Sequence, residues 1–157
     1  MNEDTTPKST KEIVILMADD DDDDFLLTKK ALAEGEILTK LIRVSDGEEL
    51  VDYLQKRGEI GKSAVRPSVI LLDLNMPRKD GREALREIKD DPEIRDIPVV
   101  IFTTSKAEED IYRTYQLGSN SFITKPVAYD DLVRVMKTLG IYWFETVKLP
   151  GDHAKHE

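Results

Sequence analysis

The sequence predicts a single α/β domain in three layers, a doubly wound (βα)5 parallel sheet with helices on both faces. Three observations carry that expectation. Five short apolar runs alternate strictly with helical patterns, which is the chain order of parallel strands joined by crossover helices. Runs 13–18, 68–72 and 98–102 are almost continuously apolar, as strands buried on both faces are. Four of the five strands close on polar residues, so chemistry collects on one rim of the sheet.

The first strand, 13–18, ends at Asp19 and Asp20, within a run of six aspartates. A helix follows from about Asp24 to Glu34, with Gly35 as its stop. Residues 41–44 form the second strand. Ser45, Asp46 and Gly47 turn into a helix with Leu50, Val51 and Leu54 on its apolar face. Segment 56–67, with two glycines and a proline, reads as a loop. The third strand, 68–72, ends at Asp73. Met76-Pro77 and Asp80-Gly81 are turn signals, Ala84, Leu85 and Ile88 mark the third helix, and Pro92 stops it. The fourth strand, 98–102, ends at Thr103, and Ala107, Ile111 and Tyr115 suggest the fourth helix. The fifth strand, 121–124, ends at Lys125-Pro126, and Leu132, Val135, Met136 and Leu139 give the last helix a clean apolar stripe. The ordered domain is expected over 12–149, between a disordered arm (1–11) and a flexible tail (150–157) that holds His153 and His156 as solvated residues.

The net charge of −9 over 157 residues argues against direct nucleic-acid binding and against anionic membranes. No apolar run reaches bilayer-spanning length. Cysteine is absent, which excludes disulfides and thiolate chemistry and fits a cytoplasmic location.

The flavodoxin-like strand order 2-1-3-4-5 would bring the polar strand ends together. Clustered carboxylates repel by about 4 kcal/mol per close pair, and a divalent cation relieves that repulsion. Oxygen ligands without Cys or a clustered His select Mg2+, with Mn2+ or Ca2+ as substitutes, over zinc. Phosphoryl transfer needs in-line positioning and neutralisation of the moving oxygens. Lys125 supplies a cation, Thr103 a hydroxyl donor, and Asp73 is the natural nucleophile. Asp22, Asp23 and Asp24 read as helix capping and solvated charge.

Asp19-Asp20, Asp73-Leu74-Asn75-Met76-Pro77 with Gly81, Thr103, and Lys125-Pro126 together resemble the receiver domain of two-component response regulators, over about 13–149. Residues 106–111, 123–127 and 146–150 are similar to the single-domain, phytochrome-associated type. The resemblance implies Asp73 as phospho-acceptor, Asp20 as a direct Mg2+ ligand, Asp19 acting through water, and the Asn75 carbonyl at the metal. It also implies Thr103 and Phe122 as a switch pair and a cis bond before Pro126. The implied protein is a stand-alone switch that catalyses only its own phosphorylation and dephosphorylation. Its partner would be a sensor histidine kinase, with a bacteriophytochrome as the subfamily's candidate. A phosphorelay intermediate and a constitutive binding pseudo-receiver are the alternatives. An aspartyl-nucleophile phosphatase fits less well, because Asn75 stands where that class has a second acid. Thr104 occupies a position that is often small in receivers, and the 57–66 loop is longer than usual. A homodimer is expected through the face of the fourth helix, fifth strand and fifth helix, or through Tyr142-Trp143-Phe144.

Overall fold

The computed structural model describes residues 13–142. The strands are β1 (Ile13–Ala18), β2 (Thr39–Val44), β3 (Val69–Leu72), β4 (Val99–Thr103) and β5 (Ser121–Thr124). They form one sheet in the order β2-β1-β3-β4-β5, and every neighbouring pair is parallel, which is the expected flavodoxin-like arrangement. The helices are α1 (Asp22–Glu34), α2 (Gly47–Gln55), α3 (Gly58–Gly61), α4 (Gly81–Asp90), α5 (Glu108–Leu117) and α6 (Tyr129–Leu139).

Successive strand side chains point to opposite faces, so each inner strand feeds two cores. Leu16, Ile70, Leu72 and Ile101 pack with Leu50, Leu85 and Ile88 of α2 and α4. Ile15, Met17, Leu71 and Val100 pack with Ala31, Leu32, Leu132 and Met136 of α1 and α6. The two cores explain why β1, β3 and β4 lack polar alternation. Edge strand β5 is only half-buried throughout, and two of its four residues, Ser121 and Thr124, are polar.

Four details depart from the sequence expectations. Six helices are present among the described residues instead of five, because the expected loop at 56–67 contains the single turn α3. That segment is folded back by Tyr53, whose hydroxyl donates to the Val65 carbonyl (3.0 Å) and accepts from the Val65 N–H (3.1 Å). Helix α1 starts earlier than Asp24, because the Asp21 side chain caps it by accepting from the Asp23 and Asp24 N–H groups. On α5 the stripe of Ala107, Ile111 and Tyr115 is not the buried face. Ala107 is the exposed residue before the helix, Tyr115 is exposed, and the buried residue is Thr114, whose hydroxyl is satisfied by the Asp110 and Ile111 carbonyls. The bond before Pro126 is trans, since no described peptide bond is cis. Trans is the intrinsically favoured prolyl isomer by about 0.5–1 kcal/mol.

No helix among the described residues is long and apolar enough to cross a membrane. The N-terminal arm, the 146–150 motif, the tail with His153 and His156, and Trp143 and Phe144 lie outside the described residues.

Candidate functional site

Four strands that are adjacent in the sheet (β1, β3, β4 and β5) end at one rim, and their next residues or last residues meet there. Asp19 and Asp73 follow β1 and β3 directly, Thr103 ends β4, and Lys125 follows β5. Asp19, Asp73 and Thr103 are buried, at 1%, 7% and 0% exposure. Thr103 Oγ1 donates to Asp73 Oδ1 at 2.8 Å, and the Asn75 N–H donates to the same oxygen at 3.2 Å. Lys125 Nζ donates to Asp73 Oδ2 at 3.1 Å, to Asp19 Oδ2 at 2.6 Å and to Asp24 Oδ2 at 2.7 Å. Both oxygens of Asp73 are therefore oriented by donors from other strands. Its backbone is fixed as well: a Cβ on Gly81 would lie 2.3 Å from the Asp73 carbonyl oxygen, so only glycine lets α4 start that close.

Burial alone would depress the Lys125 ammonium, but the hydrogen bonds to Asp19 and Asp24 and the charge of Asp73 outweigh it and hold the group above the usual lysine value of 10.5. Burial pushes the Asp19 carboxyl above its ordinary 3.8, against the Lys125 and Asp21 N–H hydrogen bonds that favour its charged form. The neighbouring charge of Asp73 adds to the rise. A charged Asp19 is thus costly in this pocket even with the Lys125 ammonium beside it.

The donor set fits a hard divalent cation. Carboxylate oxygens of Asp19, Asp20 and Asp73 lie within 4.8 Å of one another, and Asp20 is exposed, leaving an open side for water or a phosphoryl oxygen. Asp19, Asp20, Asp73, Thr103 and Lys125 are thus gathered at one place, with Asn75 exposed beside them. Phe122 stands apart: it pairs with Ile101 in the β4–β5 register and packs half-buried against the α2/α4 core. Thr104 is exposed just past Thr103.

Sequence reasoning missed three features. Asp24, read as solvated capping charge, is half-buried and paired with Lys125. It lies in the first turn of α1, which starts directly after the cap Asp21. Arg78 lies in the left-handed region (φ 65°) and its Nε reaches the capping carboxylate Asp46 at 3.0 Å, tying the loop after Asp73 to the start of α2. Arg82 on α4 pairs with both oxygens of Asp110 on α5 (3.0 and 2.9 Å), and Ser105 donates to Asp110 at 2.7 Å. That last group braces the loop after Thr103. Nothing in local periodicity marks it, because Arg82 and Asp110 are far apart in the chain.

The chain is 42% identical to the response regulator Rcp1 of Synechocystis sp. over 125 residues, which is 80% of this chain and 84% of that protein. Its fold is similar to the crystal structure of a phosphorylated cyanobacterial phytochrome response regulator, RcpA, with a TM-score of 0.83 and 41% identity, covering 89% of this chain and 99% of that one. The Mn2+-bound form of Rcp1 is similar at a TM-score of 0.80 and 41% identity, covering 88% of this chain and 99% of that one. Residues 15–137 match the response regulator receiver domain, and with the strand order and the rim of acids, threonine and lysine already described, the chain belongs to that family.

Proposed function

We propose that Asp73 accepts a phosphoryl group from the phosphohistidine of a partner sensor histidine kinase, in a reaction that requires Mg2+. The observation that carries this reading is the double fixation of the Asp73 carboxylate, Thr103 on one oxygen and Lys125 on the other. An Asp73 oxygen forms the new bond to phosphorus while the phosphorus–nitrogen bond breaks, and the electron pair leaves with the imidazole. Asp19, Asp20 and Asp73, with the Asn75 carbonyl, would hold the Mg2+, which neutralises charge on the transferring oxygens. Lys125 and the Thr103 hydroxyl orient those oxygens.

The added group carries about −1.5 to −2 charges. Thr103 follows it inward, and Phe122 turns into the space behind, changing the α5–β5–α6 surface. Tyr112 (67% exposed) and Tyr115 (47% exposed) lie on that surface and are available to a partner or to a second copy. Partners must bind the two states with different affinity for the change to signal. Similar proteins described as phytochrome response regulators support a bacteriophytochrome kinase as the donor.

Intact-mass measurement after incubation with acetyl phosphate tests the reading. The wild-type chain is expected to gain one phosphoryl group only with Mg2+, and Asp73→Asn to gain none. An adduct of equal yield in Asp73→Asn would place the nucleophile elsewhere.

A further inference from the structure

Lysine has three N–H donors. In this chain all three are claimed, by Asp19 at 2.6 Å, Asp24 at 2.7 Å and Asp73 at 3.1 Å, the longest being the one to Asp73. The oxygens of a phosphoryl group on Asp73 lie beyond the carboxylate oxygen that Lys125 now holds, so Nζ must move outward to follow them and its hold on one of the other two carboxylates must loosen. Asp19 is a poor candidate, because its side chain is 1% exposed and its Oδ1 accepts from the Asp21 N–H, so it has no room to turn off Lys125. The Asp24 side chain is 34% exposed. It also borders an open cleft of about 90 Å³ shared with Leu27, Phe102, Pro126 and Tyr129, so it can swing off Lys125 toward solvent.

We infer that Asp24 is a positioning residue that holds Lys125 in the resting state and is displaced by the phosphoryl group, so that it sets how readily Asp73 is phosphorylated. This rests on the reading of Asp73 as phospho-acceptor. The Asp24–Lys125 contact exists only before the reaction, so it stabilises the starting state alone and opposes the product. Breaking a partly exposed ion pair of this kind changes an equilibrium by about fivefold. Asp24→Asn keeps the size and an acceptor oxygen but gives up the charge, whereas Asp24→Glu retains it.

The test uses the full chain with Mg2+ and beryllofluoride as a phosphoryl mimic, read by isothermal titration calorimetry. Asp24→Asn is expected to bind beryllofluoride about fivefold tighter than wild type, and Asp24→Glu to stay near wild type. On the wild-type chain, the Asp24 carboxyl carbon signal in NMR should shift on beryllofluoride addition, as its lysine partner leaves. Equal or weaker binding by Asp24→Asn, or an unmoved Asp24 signal in a wild-type chain that binds the mimic, overturns the inference. A wild-type chain that takes neither beryllofluoride nor a phosphoryl group from acetyl phosphate fails the Asp73 reading instead.

Discussion

Asp110 shows how single side chains hold the loop after Thr103 in place. The Ser105 hydrogen bond, helped by the Arg82 charge and opposed by burial, holds its carboxyl below the ordinary 3.8. A folded value below the unfolded one contributes stability that is complete above pH 3.8 and disappears as pH falls through the folded value. Asp110→Asn should therefore cost about 1 kcal/mol at neutral pH and lose less than wild type on acidification. Urea denaturation at pH 7 and pH 3 checks it, and parallel pH profiles of the two proteins would sink it. Asp19, Asp73, Thr103 and Lys125 were legible in the sequence because each closes or follows an apolar run. Asp24 and Asp110 were not, because their partners, Lys125 and Arg82, are brought to them by tertiary packing alone.

Among the elements, the strands were the most readable, since burial on two faces writes itself as unbroken Val, Ile and Leu. Helix α5 was the least, because its inward residue is a threonine that satisfies its own hydroxyl, while two tyrosines face out. The turn α3 was hidden for a different reason, as four residues are too few for a period. Helix α2 carries the clearest energetic prediction at this scale. Its cap Asp46 is buried, accepts from the Glu49 N–H at 2.8 Å and also anchors Arg78. Asp46→Ala removes both contacts and is expected to cost about 1–2 kcal/mol. The loss should exceed that of Asp80→Ala, a half-buried cap that accepts from the Arg82 and Glu83 N–H groups at the start of α4. Chemical denaturation of the two variants side by side measures the difference, and equal losses would remove Arg78 from the account.

For the whole molecule, a divalent cation held by the acids at the rim would couple its binding to stability. A ligand that binds only the folded chain adds about 2.7 kcal/mol at a hundredfold excess over its Kd. Mg2+ should therefore raise the melting temperature above that in EDTA, and Asp20→Asn should abolish most of the rise. An equal rise in that variant would mean that the cation binds elsewhere. The sheet order has a kinetic consequence too. Asp73 directly follows β3, the middle strand, which is laddered to β1 on one side and to β4 on the other. Opening it means breaking two ladders, so amide hydrogens at 70–72 should exchange with solvent only when the whole domain unfolds. A chemical mark written at the end of that strand is insulated from the fraying that erodes edges and termini. Its persistence would then be timed by hydrolysis of an acyl phosphate bond at the rim, and not by the opening of the strand that carries it.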